Sequence, residues 1–451
     1  MGMAALWAAL PVVADAENRI VRPAERLSLQ AIIDAAAPGD VITLKAGDYA
    51  APITIDNSVT LEGEDGASLV GSGQGSVITI MGEGVTVRGL TITGSGTDLA
   101  ALDSGVLATQ TATGAVIERN VITGNLFGIY LHGAVNSVAR GNRIVGLRGE
   151  RLSEAGNGVS VWNAPGAQVL DNDIRFGRDG IATMTSKRNV FSRNRFSDLR
   201  FGIHYMYTND SEVSDNISTG NSVGYAIMFS SRLKIRGNVS DGDRDHGLLL
   251  NYANGSEITG NTVIGRLQPA ERWLLGGNRN MDADMPKSEK AETSDQDPGT
   301  LRPGPQKCVF IYNANKNRFN DNVFEGCAIG IHFTAGSEGN AISGNAFINN
   351  QNQVKYVGTR YTDWSKDGRG NYWSDNPAFD LDGDGIGDNP YRPNDLIDKV
   401  LWTSPQAKLL TTSPAVQVIR WAQAQFPALL PGGVVDSHPL MAPIAGKKAT
   451  Q

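Results

Sequence analysis

Asn194 to Asn251 reads NRFSDLRFGIHYMYTNDSEVSDNISTGNSVGYAIMFSSRLKIRGNVSDGDRDHGLLLN, and it repeats itself. Asn194, Asn216 and Asn238 stand 22 residues apart, and each is followed by an apolar-alternating segment: GIHYMY, GYAIMF, then GLLLNY. Read outward, the same asparagine recurs at Asn120, Asn142 and Asn172 upstream and at Asn261, Asn322 and Asn345 downstream. A period near 22 residues with short alternating strands is the signature of a solenoid, whose turns bury their apolar side chains only by stacking. The expected fold is therefore all-β, a parallel β-helix with rungs of about 22 residues. The asparagine suits a sharp bend, because it tolerates the left-handed region and can pair with backbone. Stacked along the axis, such side chains form a hydrogen-bonded ladder. Their role is read as structural.

The ends differ from the array. Ser28 to Ala37 (SLQAIIDAAA) has the pattern of a short amphipathic helix with Ser28 as N-cap, suited to covering the open end of the solenoid. Rungs are expected to begin near residues 76–92. The proposed division is 1–16 signal peptide, 17–60 cap and first strands, 61–357 β-helix, 358–400 a GNYWSDN and Asp-rich region, and 401–451 a C-terminal helix and tail. The 61-residue gap from Asn261 to Asn322 holds one rung plus a polar insertion at about 268–306. Ser413 to Leu430 reads as an amphipathic helix carrying Trp421 and Phe426.

Met3 to Val13 is an apolar run of signal-peptide length, and Ala14-Asp15-Ala16 fits a small-x-small cleavage site, so cleavage is expected after Ala16. The n-region lacks a positive charge, and a buried N-terminal segment is the alternative. No later stretch is apolar enough for a membrane span. An exported protein is expected, periplasmic in a bacterium. The net charge of −7 argues against nucleic acid as a partner. Two cysteines exclude a disulfide-dense scaffold or a Cys-rich zinc array.

Period-two alternation places every second residue of the GIHYMY-type segments outward. One outward column reads His132, Trp162, Met184, Met206, Met228, Asn251, Tyr312 and Thr334. Three consecutive rungs thus place methionine at one spot, with His204 two residues from Met206 on the same face. Thioethers are soft donors that select Cu(I), and imidazole also binds copper. Met184, Met206, Met228 and His204 are the candidate copper ligands; the competing reading is an adaptable docking surface. Cys308 and Cys327 fall in neighbouring rungs, as two buried thiols or a disulfide. Past the last rung, Asp380, Asp382, Asp384, Gly385 and Asp388 follow D-x-D-x-D-G-x-x-D, an arrangement of alternating carboxylates that can wrap a hard cation such as Ca2+. Tyr391 stands where an EF-hand has its bidentate glutamate, and a solvated acidic turn is the alternative. In the tail, His438 and Met441 could bind metal, with packing as the simpler account.

GIHYMYTNDS, KCVFIYNANKNRF, CAIGIHFTAGSE, QVKYVG, GNYWSDN, FDLDGDGIGD and DSHPLM together resemble the NosD family, over essentially the whole mature chain. The resemblance implies a right-handed parallel β-helix in the periplasm. It also implies work with an ABC transporter, a membrane subunit plus an ATPase, in assembling the copper–sulfide centre of nitrous oxide reductase, with a copper-delivering lipoprotein as a further partner. Membrane contact would then come only through partners, and any ATP hydrolysis would be theirs, since this chain has no G-x-x-x-x-G-K-[ST]. Two alternatives stay open. One is a polysaccharide lyase or hydrolase, which needs clustered carboxylates; Asp179 and His246 share a column but are separated by Phe201 and Val223. The other is sulfur delivery through Cys308 or Cys327.

Overall fold

In the computed structural model, residues 17–148, 154–266, 306–334, 336–358, 360–395, 397–398, 400, 413–425 and 432–443 are described. The leader, nearly all of the 268–306 insertion, and Phe426 lie outside them. Three long parallel sheets of 13, 12 and 13 strands run the length of the solenoid. In each, the neighbours are one rung apart in sequence, so every strand pairs with its equivalents before and after. The pairing spans the insertion: His246 aligns with Lys307 and Asn251 with Tyr312.

The array starts earlier than residues 76–92. Strands Val41–Leu44, Gly47–Ala50 and Ile53–Ile55 already pair with Thr60–Gly63, Ala67–Val70 and Ile78–Ile80. Their sequences alternate as later rungs do but lack the asparagine that marks the repeat. The capping helix covers Leu29–Asp34, shorter than the SLQAIIDAAA pattern, with Ser28 Oγ accepting from the Ala31 N–H. Gln30 closes the edge strand Ile53–Ile55 of the 12-stranded sheet. Its Nε2 donates to Thr54 O at 2.9 Å and its Oε1 accepts from Thr54 N at 2.7 Å. An edge so occupied cannot recruit another strand.

The asparagines form one buried ladder. Nδ2 of Asn172 donates to Oδ1 of Asn194 at 2.9 Å, Asn194 to Asn216 at 3.0 Å, and Asn216 to Asn238 at 2.9 Å. The chain of bonds continues through Asn261, Asn322 and Asn345 to Asn371. The left-handed residue is not the asparagine. It is the one before it: Arg119, Asp171, Arg193, Asp215 and Asp321 have φ of 53 to 57°, and glycines occupy the equivalent place elsewhere. The asparagine supplies the hydrogen bonds, and its predecessor supplies the bend.

The far end is closed by the tail. Gly433–Val435 pairs in parallel with Tyr361–Asp363. Asp436, fully buried, then takes the next place on the ladder, accepting from Asn371 N at 2.6 Å and Trp373 Nε1 at 2.8 Å. Burial raises the Asp436 carboxyl above its ordinary range, although these donors pull the other way. The C-terminal helix, Pro414–Gln425, leaves Trp421 63% exposed. Among the described residues, no helix is long and apolar enough to cross a membrane.

Candidate copper-facing surface

The six-residue strands, such as Asp179–Met184, Phe201–Met206 and Val223–Met228, carry the candidate site. Register places Trp162, Met184, Met206, Met228 and Asn251 in one column. Neighbouring strands lie about 4.8 Å apart, so thioethers on successive rungs come within reach of a shared ion. Ile203 and Tyr205 are fully buried between partly exposed His204 and Met206, and Met184 is 43% exposed. The methionine column therefore faces outward.

The glycine that opens most of these segments adds a further column on the same side, of which Asp179 and Val223 are buried. A Cβ at Gly180 would collide with the interior Phe196 ring, and one at Gly202 would lie 2.7 Å from Gly224 O. Glycine and the residue after it thus both turn inward, and the residue before glycine turns out. At that place stand Asp179, Phe201, Val223, His246 and Lys307. Strict alternation counted from the strand ends does not reveal this flip.

The flip brings Asp179 to His204. Asp179 Oδ2 lies 3.2 Å from His204 Nδ1, and Arg200 grips the same carboxylate with Nε at 2.8 Å and Nη2 at 2.6 Å. Burial would raise the Asp179 carboxyl, but the Arg200 charge and the His204 bond outweigh it and hold the group well below the usual carboxylate range. An ionised carboxylate only accepts, so in the neutral ring His204 Nδ1 carries the proton and Nε2 keeps the lone pair that can bind a metal. Phe201 packs edge-on against His204, and the Arg200 guanidinium lies 4.3 Å over the Phe201 ring.

Met184, His204 and Met206 line one small depression of about 120 Å³, whose wall also includes Tyr130 and Trp162. Met228 is one rung further along the column, outside the depression. Two thioethers and an imidazole are a donor set suited to Cu(I) and poorly suited to a hard cation.

The other candidate residues lie elsewhere. Cys308 and Cys327 are joined in a disulfide with Cα atoms 5.7 Å apart, and both are buried. Asp380, Asp382 and Asp384 bring their carboxylate oxygens within 4.8 Å of one another, the only such group of three or more acidic, His or Cys side chains among the described residues. Asp380 accepts from the N–H groups of Gly383 and Gly385 at 2.7 and 2.8 Å, and Asp388 from Leu381 N at 2.9 Å. The tail holds this loop: Gly387 N donates to Pro439 O and Met441 N to Gly385 O. His438 Nδ1 lies 3.2 Å from Ser365 Oγ. Asp179 and His246 remain three rungs apart, with Phe201 and Val223 between them.

Sequence reasoning did not bring together His246 and His332, which flank Phe310 at ring distances of 5.4 and 4.9 Å. Burial, with Lys307 adding, lowers His246 to about 4 and His332 to about 3.

Residues 146–378 match the family described as "Periplasmic copper-binding protein (NosD)". A curated relative from Stutzerimonas stutzeri, "Probable ABC transporter binding protein NosD", is 42% identical over 88% of this chain and 86% of its own. A protein of the same name from Pseudomonas aeruginosa is 41% identical over 88% of this chain and 87% of its own. Among solved structures, the A-module of the Azotobacter vinelandii mannuronan C-5 epimerase AlgE6 aligns with TM-score 0.51 at 15% identity, covering 73% of this chain and 90% of the module. DFA-IIIase from Arthrobacter chlorophenolicus without its lid also aligns with TM-score 0.51, at 14% identity, covering 77% and 99%. At these identities the solved structures share the solenoid fold alone.

Proposed function

Since the chain belongs to the NosD family of periplasmic copper-binding proteins, we propose that it carries Cu(I) as cargo on Met184, Met206, Met228 and His204. In this role it serves the assembly of the copper–sulfide centre of nitrous oxide reductase while docked on an ABC transporter. It is a binding and maturation protein, not an enzyme. The observation that carries the copper reading is the meeting of two thioethers and one oriented imidazole at a single outward depression. Met184, Met206 and His204 close around one ion, and Met228 extends the soft-donor stripe by a rung. Flexible thioethers on an open face suit an ion that must be passed on.

The transporter association is supported by the names of the two relatives. The reductase and a copper-delivering lipoprotein as partners rest on the motif resemblance. Export behind a leader cleaved after Ala16 agrees with the family's periplasmic description. Asp380, Asp382, Asp384 and Asp388 form a separate site for a hard cation of the Ca2+ type, structural in effect because the loop is stitched to the tail. Sulfur delivery through Cys308 or Cys327 is the weaker reading, because both sulfurs are buried and bonded to each other.

The test is anaerobic Cu(I) titration of the purified chain with X-ray absorption. Sulfur-dominated ligation with about one nitrogen is expected. Cu(I) affinity that is unchanged in a Met184→Leu/Met206→Leu/Met228→Leu variant would remove the site assignment.

A further inference from the structure

We propose that Trp162 forms the π wall of the copper site, with His132 bracing its indole from behind and the opposite ring face turned toward the ion. This deepens the Cu(I) reading above and rests on it.

Trp162 sits between His132 and Met184 in one outward column, one rung from each. The His132 and Trp162 rings are stacked, with centroids 4.5 Å apart and planes 19° from parallel. A ring stacked along the solenoid axis has one face toward the preceding rung and one toward the next. His132 covers the former. The latter is turned to the rung of Met184, and Trp162 lines the same depression as Met184, His204 and Met206. The indole remains 39% exposed, so it fills no core position. Register accounts for where the residue sits, and the ring stack accounts for how the indole is held.

The chemistry matches a monovalent soft ion. Indole has the most negative π face of the natural side chains, and a cation within about 6 Å of the ring is attracted to it. Thioether sulfur also packs favourably against aromatic rings, so the wall positions Met184 even without metal. A π face adds no lone pair, leaving two sulfurs and one nitrogen as the donor set. It stabilises the ion and shields it from water and oxygen, while the site stays open enough for transfer to a neighbour.

The experiment is anaerobic Cu(I) titration of the full chain and of its Trp162→Phe and Trp162→Leu variants, following fluorescence and affinity against a Cu(I) chelator. Circular dichroism checks that each variant keeps its fold. In the parent chain, Cu(I) quenches part of the emission of its seven tryptophans with a saturating end point. In Trp162→Phe that quenching disappears while affinity stays within about threefold, because a π face remains. In Trp162→Leu affinity falls by about three- to thirtyfold. Quenching that survives in Trp162→Phe, or parental affinity in Trp162→Leu, overturns the proposal. Met184→Leu/Met206→Leu separates the two levels. If it abolishes binding while the Trp162 variants behave as the parent, only the π wall fails. If it binds as the parent does, the copper assignment and the π wall fail together.

Discussion

Asp179→Asn isolates the part of the site that holds His204 from the part that would touch metal. The native carboxylate accepts two bonds from Arg200 and one from His204 Nδ1. The amide offers one oxygen to those three donors, and its NH2 faces a donor in either orientation. Two effects follow. Arg200, whose side chain is 17% exposed, loses its counter-charge, and removing one partner of a buried pair destabilises by about 3–5 kcal/mol. His204 loses the acceptor that fixes its tautomer, and loss of such an outer partner typically lowers metal affinity by about 10- to 100-fold. Affinity is measured anaerobically by competition with a colorimetric Cu(I) chelator, the tautomer by nitrogen-15 histidine resonances of the apo chain, and stability by urea. The expected result is a Cu(I) complex weaker by about 10- to 100-fold, a shift of His204 toward mixed tautomers, and a lower urea midpoint. Parental affinity together with an unchanged Nδ1–H resonance would refute the orienting role, whatever happens to stability. A lower midpoint alone would show only that the ion pair supports the rung.

Three further outcomes are expected. Asn194→Ala removes the acceptor of Asn172 N and Nδ2 and the donor to Val169 O, Ser192 O and Asn216 Oδ1. Several buried groups left unpaired predict a loss of about 3 kcal/mol or more by urea denaturation, and a loss below about 1 kcal/mol would show that the ladder is ornamental. Lowering the pH from 7 to 5 destabilises the chain. His246 and His332 are depressed to about 4 and about 3 in the fold, so the unfolded chain takes up protons first. Stability is full above the unfolded histidine pKa and is lost as pH falls from there through the folded values, by about 2 kcal/mol per histidine by pH 5. His246→Asn/His332→Gln flattens that slope, and an unchanged slope would rule these two out as its source. Asp380→Asn/Asp382→Asn abolishes any rise in melting temperature on adding Ca2+, since both carboxylates belong to the Asp380–Asp382–Asp384 cluster; a parent chain whose melting is indifferent to millimolar Ca2+ would refute the cation loop.

The sequence disclosed whatever the repeat itself encodes. A constant 22-residue offset from Asn194 to Asn216 to Asn238 is also the offset from Met184 to Met206 to Met228, so the column can be read by counting. The continuation of register across the insertion follows from the same arithmetic, whereas the number of strands per rung does not. What escapes it lies where the period breaks or where rings and rotamers decide. The first rungs lack the asparagine that marks the repeat, so they read as a cap. Asn371 stands 26 residues after Asn345 in GNYW, outside the period, and its ladder partner Asp436 comes 65 residues later. Counting places Asp179 in a column with His246, whereas its working partners are Arg200 and His204 of the next rung. The inward turn at Gly180 carries it there, and glycine in a repeat reads only as a turn until its missing Cβ is tested against neighbours.

These misses share a physical reason that also bears on function. A solenoid gives each outward position two fixed neighbours along its column, and the backbone ladder sets their spacing to about 4.8 Å whatever the side chains are. That spacing is what places Met184 beside Met206. It does not orient an imidazole, because the ring can turn about its side-chain bonds and the column supplies no acceptor. Orientation has to come from a neighbouring column, and here it comes from the carboxylate that the glycine flip brings outward and Arg200 keeps ionised. The buried asparagine ladder and the Asp436 closure then matter to the site at a distance, because they hold the rungs in register. A soft, exchangeable set of donors on the surface is compatible with a defined geometry only because the frame beneath it is rigid. In the proposed Cu(I) role, the flexibility needed to pass an ion on would reside in the thioethers, and the fixed geometry in His204 and the groups that hold it.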